Sequence, residues 1–511
     1  MPRKRRNNGL KERSKRHTGN AALRALLSVV APACLAVILT GCSSLPRHQV
    51  SSRTPEGPAS SWVPPAKALP PPAAPEETTA IPQHLLESKE SWTLEDIVDL
   101  ALRNNPNTRA TWAAARASAA RLGSEQGAYF PEIDGSANYS TTKSSFSQQL
   151  SFDRTSYEAA LTLHFLLFDF GQRGGRIEEA RQAMYAANWS HNAVIQDVIL
   201  VVERAYYQYL HAKGVREANT VALKEAEASL DAAEDRHKAG LATIADVLQA
   251  KSNYSQKKLE LQEIEGQILN IRGTLATTIG LSPTVDYDVG VLPSDLPVQE
   301  VSQTVDELIR EAETFRPDLA AAHADVLGAR AHVKSIKAER WPTITFDGNM
   351  SRRFYDNPDD YSDNYTYGIY LDVPLFTGFS QQNDILEAQS RADHALQQYE
   401  ILKNRVALGV WIGYYDLKTA SERLTTTREF LESATESQNV ALGRYRAGVG
   451  SILEVLTAQT ALEDARAQDL QARTDWFLAL SLLAHATGRL GTSQSLPSAQ
   501  SQSQPEKDSG R

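Results

Sequence analysis

The chain has few of the residues and motifs that catalytic and metal sites need. Its 511 residues include two cysteines, Cys34 and Cys42, which excludes a disulfide framework and a cysteine-rich zinc or iron–sulfur site. It also contains no Gly-x-Ser-x-Gly, Walker or His-Glu-x-x-His motif. We therefore expect no enzymatic activity, no metal site and no cofactor.

Histidines are also sparse, and four of the 11 are candidate ligands; none of these four has a second histidine or a carboxylate at ligand spacing in a strand or helix context. We expect isolated side chains on a strand, at a helix tip and on a helix surface at four positions: His164, His237, His323 and His332.

Positive charge is scarce outside the N-terminus. Residues 1–41 contain nine Lys and Arg against one acid, Glu12, which leaves 44 basic and 61 acidic residues and a net charge of −17 for the rest. Because nucleic-acid binding depends on Lys and Arg that neutralise phosphates, this acidic body argues against a nucleic-acid partner.

Long hydrophobic runs are absent after residue 42. The apolar run 25–40 follows a basic stretch, which is typical of a secretory signal. Its 16 residues are short for a transmembrane helix of about 20. An inner-membrane helical anchor is the alternative interpretation. If the rest of the chain spans a membrane, it cannot do so with helices.

The end of that run, Leu39-Thr40-Gly41-Cys42, resembles the bacterial lipobox. The resemblance implies that residues 1–41 are a lipoprotein signal peptide and that Cys42 carries covalent lipid such as palmitate. Ser43, where an Asp would favour inner-membrane retention, implies the outer membrane. The Pro-rich residues 42–90 predict an extended linker, and the Ser/Gln-rich residues 491–511 predict a disordered tail.

The remaining chain consists of two similar sequence repeats. Thr93-Leu-Glu-Asp-Ile-Val matches Thr304-Val-Asp-Glu-Leu-Ile at an offset of 211 residues, and from the middle of the repeat onward the offset is 208. At that second offset, Arg236-His-Lys-Ala-Gly-Leu matches Arg444-Tyr-Arg-Ala-Gly-Val. Constant offsets of this kind indicate a tandem duplication. We place the two repeats at residues 91–300 and 301–490.

In each repeat, alternating apolar and polar residues predict two strands. They lie at about 132–141 and 155–169 in the first repeat and at 343–353 and 363–376 in the second. Ile133, Gly135, Ala137 and Tyr139 lie on one face, with polar residues between them. Strands of about ten residues with this alternation fit a membrane β-barrel between lipid and water. A half-buried hairpin in a soluble sheet is the alternative.

The repeats also predict long helices, 172–236 and 380–444, that run for about 65 residues without proline, or about 95 Å. Leu223, Ala226, Leu230 and Ala233 keep a seven-residue repeat, which indicates a coiled-coil seam. A glycine turn then leads into the return helices, 242–280 and 450–488. With the shorter helices 106–128 and 317–339, these returns are long enough to stack end to end beside the long helices.

Four strands are too few to close a membrane barrel. Because a sheet in lipid cannot leave open edges, closure requires further copies of the chain. Two chains give about eight strands around a filled barrel, and three give about twelve around a lumen. Long helices that wall a tunnel favour the trimer.

The lipobox, the duplicated helix–strand–strand–helix–helix order and the repeated Ala-Gly turn resemble the TolC-type outer-membrane factors, and among them the lipid-anchored efflux channels. The resemblance covers residues 90–490. It implies a homotrimer in which a 12-stranded β-barrel continues into an α-helical coiled-coil tunnel in the periplasm. It also implies a periplasmic adaptor, an inner-membrane pump and passive export of drugs and toxic compounds. A type I protein secretion channel and a lipid-anchored coiled-coil scaffold without a pore are the alternatives.

The resemblance assigns two sites. The first is the pair of hairpin tips that would contact the adaptor, unless they only close the hairpins: Arg236, Gly240, Leu241, Thr243 and Asp246, then Arg444, Gly448, Val449 and Ser451. The second is the periplasmic aperture, where Glu454 occupies the first of two acidic positions and Thr457 replaces the second. The alternative is that Glu454 is only a solvated helix charge or a partner of Arg444.

Overall fold

The computed structural model describes residues 54–55, 57–62, 91–147, 150–293, 296, 303–355 and 360–491. The predicted signal peptide, Cys42, most of the linker and the tail after Gly491 lie outside these residues.

Each repeat has the same order of elements, two helices, two strands and two helices. The first repeat comprises α1 (Leu94–Asn104), α2 (Pro106–Gly127), β1 (Glu132–Ser147), β2 (Leu150–Phe168), α3 (Gln172–Lys238) and α4 (Ile244–Thr278). The second comprises α5 (Val305–Phe315), α6 (Pro317–Ala338), β3 (Thr343–Tyr355), β4 (Tyr361–Asp372), α7 (Ser380–Arg446) and α8 (Ile452–Ala486). The predicted duplication is therefore also a structural one.

The predicted long helices are confirmed, and both α3 and α7 have 67 residues, or about 100 Å. The return helices α4 and α8 begin two residues later than predicted, because Thr243 and Ser451 are N-cap residues with extended backbones. Helices α1 and α5 were not predicted, although each begins with a Thr capping box. They end before Pro106 and Pro317, because proline disfavours a helical conformation in the preceding residue.

The four strands form one antiparallel sheet in the order β1-β2-β3-β4. The first hairpin extends further than predicted, to Ser147 in β1 and back to Leu150 in β2. Strand β4 is shorter than predicted and ends at Asp372, so the expectation of a strand up to Phe376 is wrong. Pro374 explains the early end, because it has no N–H with which to continue the ladder.

The register confirms the predicted faces of the sheet. Ile133 lies opposite Leu163, which lies opposite Gly348 and, across the next pair, Tyr367. Directly opposed residues share a face, so the predicted apolar positions of all four strands lie on one side. The neighbouring row, on the other side, is polar: Asp134, Thr162, Asn349 and Thr366.

The junctions between sheet and long helix hold a phenylalanine in a left-handed backbone conformation. Phe170 has φ 51° and Phe379 has φ 66°, and the adjacent glycines Gly171 and Gly378 are also left-handed. This conformation costs an ordinary side chain about 1–2 kcal/mol. Both rings remain exposed, at 46% and 62%.

The helices form a single layered array that places both hairpin tips at one end. Helix α3 packs against α4 and α2 of its own repeat and against α6 and α8 of the other, and α7 packs against α8 and α6. The predicted stacking of α2 and α4 beside α3 is confirmed. Two apolar cores sit midway along the array, one around Val202 and Leu275 and one around Val410 and Ala472. Ala226 and Ala233 of the predicted seam are buried.

Candidate functional site

The candidate site is the end of the helical array where α3 turns into α4 and α7 turns into α8. Gly240 and Gly448 make the two turns with φ of 74° and 81°. In each turn the glycine N–H and the N–H that follows bond back to the last helical turn, as in Leu241 N to Arg236 O at 2.8 Å and Val449 N to Arg444 O at 3.0 Å. This is a Schellman helix end, which an L-residue with a side chain would strain.

The two return helices are capped differently. In the first, the Thr243 side chain accepts from Asp246 N–H, and the Asp246 carboxylate accepts from Thr243 N–H at 3.0 Å. In the second, the Ser451 side chain accepts from Glu454 N–H at 3.2 Å. The Glu454 carboxylate lies 3.8 Å from Nη1 of Arg444. The duplicated acid is therefore part of a cap in one tip and part of an ion pair in the other.

The contact with Arg444 was one of the alternatives to an aperture role for Glu454, and the structure contains it. Both side chains are about half exposed, at 55% and 49%. An exposed pair of this kind contributes about 0–1 kcal/mol. Thr457 is exposed one turn further along α8.

Arg236 does not copy the role of Arg444. Its guanidinium reaches the second hairpin, where Nη1 donates to the Tyr445 carbonyl and the group lies 4.6 Å from the centre of the Tyr445 ring. Nη2 also donates to Leu241 O at 3.3 Å, within its own turn. The first tip is therefore connected to the second through Arg236.

Tyr445 was missed by the sequence analysis. It is 2% exposed and packs with Ala233, Ala250, Ile452 and Val455 in a small core shared by both tips. Burial raises the pKa of its phenol. The sequence did contain a signal for Tyr445. It aligns with His237, so the second repeat has a large aromatic residue where the first has a polar one.

Apolar side chains also project outward at the tips. Leu241 is 70% exposed and Val449 is 68% exposed, and Leu453 on α8 is 65% exposed. The structure therefore exposes an apolar side chain at each turn.

A layer of buried and partly buried polar contacts lies above the tip core and was also missed. Gln459 donates to Ser229 Oγ at 2.8 Å, and Arg466 forms a bidentate pair with Glu225 at 2.9 and 3.0 Å. Lys257 lies 2.6 Å from Glu463. Burial raises the pKa of the Glu463 carboxyl in spite of this ammonium group. These contacts join α8 to α3 and α4, and therefore hold one hairpin against the other.

Two of the four histidines are not isolated, which corrects the prediction. His164 Nδ1 lies 2.5 Å from Asp347 Oδ1, and His332 Nδ1 lies 2.9 Å from Glu179 Oε2. Each pair joins the two repeats, so spacing within one repeat could not show it. In the part of the chain that the structure describes, no three His, Cys, Asp or Glu side chains form a metal site. Among these residues, none of the helices has an apolar stretch suited to crossing a membrane.

A duplicated array of 100 Å helices with a four-stranded antiparallel sheet at one end defines the class as the TolC-like outer-membrane factors. A solved structure of the outer-membrane channel OprN matches this chain with a TM-score of 0.69 and 20% identity, over 83% of this chain and 98% of that one.

The family follows from the sequence. The family model for outer membrane efflux proteins matches residues 97–281 and 308–489. The chain is 29% identical over 413 residues to Protein CyaE of Bordetella pertussis, which covers 78% of this chain and 85% of that protein. It is 22% identical over 446 residues to the probable efflux pump outer membrane protein TtgC of Pseudomonas putida, over 86% and 90% of the two chains. The chain belongs to the outer membrane efflux protein family and is an outer-membrane protein.

Proposed function

We propose that this chain is the outer-membrane exit duct of a tripartite efflux system, that it exports small toxic molecules passively as a homotrimer, and that it performs no chemistry of its own. The observation that carries the proposal is that, among the described residues, the sheet and the helical array each have two open edges. The sheet ends in β1 and β4, and the helical array ends in α4 and α7.

The strand edges are compatible with ring closure. Four antiparallel strands leave β1 and β4 running in opposite directions, so β4 of one copy can pair antiparallel with β1 of the next. Each copy adds the same four strands, and three copies give about 12, which encloses a lumen. Such an interface is head-to-tail and closes only as a ring.

The helical edges carry apolar side chains suited to the same interface. On α4, Leu248 is 59% exposed and Leu269 is 61% exposed. On α7, Ile401 is 51% exposed, Leu408 is 57% exposed and Tyr415 is 43% exposed, and these three recur every seven residues along one stripe. A single copy leaves both stripes in water, whereas a ring buries one against the other.

The remaining parts of the duct are assigned in the same proposal. The tips, with Leu241 and Val449 exposed, would bind a periplasmic adaptor that links the duct to an inner-membrane pump. Glu454 would line the aperture. Cys42 would carry the lipid that attaches each copy to the outer membrane.

The experiment is purification of the full-length protein from outer membranes, followed by heat-modifiable gel mobility and conductance in planar bilayers. We expect a trimer that conducts. Leu408→Glu should reduce the yield of trimer strongly. A non-conducting monomer would favour the scaffold interpretation. A gene deletion that leaves drug sensitivity unchanged but blocks release of a protein would favour type I secretion.

A further inference from the structure

A short N-terminal segment, residues 54, 55 and 57–62, lies against α2 and α3 of the first repeat and is here termed the strap. Its Trp62 is 6% exposed. The indole packs at 5.6 Å from the ring of Tyr185 and edge-on at 5.2 Å from that of Trp189. A tryptophan buried between two aromatic rings is a strong attachment point.

Polar contacts fix the strap backbone as well. The Asn192 side chain accepts from Trp62 N–H at 2.6 Å and donates to Trp62 O at 2.8 Å. His191, which is fully buried, donates through Nε2 to Ser60 O at 3.1 Å. At the other end, Trp112 of α2 donates to Pro55 O at 3.0 Å. The strap is therefore held by side chains that satisfy its own backbone groups.

The second repeat lacks these side chains at the duplicated positions. Tyr185, Trp189 and Asn192 correspond at the offset of 208 to Asp393, Gln397 and Glu400. The groove between α6 and α7 in that repeat is open, with a volume of about 410 Å³. Because the repeats share a fold but differ here, the first groove is specialised for the strap.

We propose that the strap is a length-setting tether: it attaches the acylated N-terminus to the side of α3, and this keeps the strand end of an unassembled copy close to the membrane until the trimer closes. The proposal rests on the lipid anchor at Cys42 described above. It adds a binding site within the chain, the groove of α2 and α3, which fixes the point of the body to which the lipid anchor is attached.

The number of chain links between the lipid and the body shows what attachment of the strap changes. Twelve chain links separate Cys42 from Thr54, and 49 separate Cys42 from Ser91, where the continuous body begins. At about 3.4 Å per link, the lipid can lie up to about 40 Å from the docked strap, or up to about 165 Å from the body if the strap is free. Pro55, beside the end of the tether, is held by Trp112, which lies 15 residues or about 23 Å before the sheet end of α2 at Gly127. The docked tether is therefore long enough to reach the level at which the strands begin.

The same lengths define how far the strand end can move from the lipid. Release of the strap raises that limit from about 40 Å to about 165 Å. We expect trimer formation, which requires strand ends to meet at the membrane, to slow when the strap is released.

The experiment combines Asn192→Ala with replacement of residues 1–42 by a signal peptide that is cleaved without acylation, in protein expressed in its membrane. Hydrogen exchange of residues 54–62 in the purified protein reports strap docking. Pulse-labelling followed by heat-modifiable mobility reports the rate of trimer formation. Glu400→Ala, at the duplicated position, is the matched control. We expect Asn192→Ala to expose the strap amides and slow trimer formation in the acylated chain, and to leave the rate unchanged in the non-acylated chain.

A second variant leaves the groove intact. Twelve Gly/Ser residues inserted after Arg47 double the reach of the tether to about 80 Å, and should slow trimer formation less than release of the strap does, while strap exchange stays as in the wild type. Equal slowing by Asn192→Ala in both backgrounds, or an unchanged rate after the insertion, would overturn the tether. Absent palmitate labelling of the wild type would instead overturn the lipid anchor of the proposed function, and the tether with it.

Discussion

The Arg444→Ala variant tests whether the charge of Arg444 helps to keep the aperture closed. In the proposed trimer, three Glu454 carboxylates converge around the axis, and they repel one another more strongly as water is excluded. Arg444 lies 3.8 Å from Glu454 and partly neutralises it. Arg444→Ala leaves the repulsion and removes the restraint, so the tips should open more often.

The magnitude follows from the exposure of the pair. Both groups are about half exposed, so each pair contributes about 0.5 kcal/mol, and three pairs contribute about 1.5 kcal/mol. That energy is about a tenfold change in the ratio of closed to open apertures. Because salt screens exposed pairs, the wild type should approach the variant at about 1 M salt, where the Debye length is about 3 Å.

Single-channel recording in planar bilayers measures the open fraction, and growth on vancomycin reports the leak in cells. Arg446→Ala is the matched control, since it removes the same charge two residues away and leaves the Arg444–Glu454 pair. Glu454→Ala should weaken cation preference without a comparable leak, because it removes the repulsion together with the pair. Equal open fractions for wild type and Arg444→Ala, at equal trimer levels, would refute a role for Arg444 in closure.

Three further outcomes are expected. Cys42→Ser should abolish metabolic palmitate labelling and leave uncleaved or mislocalised precursor, and labelling that persists in this variant would exclude Cys42 as the acylated residue. Leu163→Arg, on the apolar face, should cost about 2–4 kcal/mol near the bilayer midplane and reduce trimer yield. Thr162→Arg, on the polar face, should be tolerated, and equal yields of the two variants would contradict the assigned lipid face. Burial lowers the pKa of His191, so its contribution to stability is present above its unfolded pKa of 6.5 and is lost as pH falls through the folded value. Melting curves of His191→Gln should therefore lack the part of the acid destabilisation that the wild type shows below pH 6.5, and identical pH profiles would show that His191 does not titrate in this range.

The sequence was sufficient for the elements because their periodicities are long and repeated. Two constant offsets placed the second repeat, the long stretches without proline and the seven-residue repeat predicted α3 and α7, and alternation predicted the strand faces. The short helices α1 and α5 were missed, and the other errors lie at the ends of elements. Pro374 ended β4 early, and the Thr243 and Ser451 caps shortened the return helices.

The contacts that were missed join residues far apart in the chain. Arg236 meets Tyr445 across 209 residues, Gln459 meets Ser229 across 230, and Trp62 meets Asn192 across 130. Periodicity shows which side of a helix is buried but not which helix covers it. Duplication adds a second difficulty, because it suggests that Arg236 and Arg444 have the same role, whereas one connects the two hairpins and the other pairs within its own.

The equal lengths of the two hairpins limit how this protein can change in evolution. Helices α3 and α7 have 67 residues each, and α4 and α8 have 35 each, so both turns reach the same level. An insertion in one helix would rotate its buried side out of the array and leave one tip beyond the other. A longer or shorter duct therefore requires insertions or deletions of whole helical turns in all four helices together, and relatives that differ in reach should differ by matched lengths in both repeats.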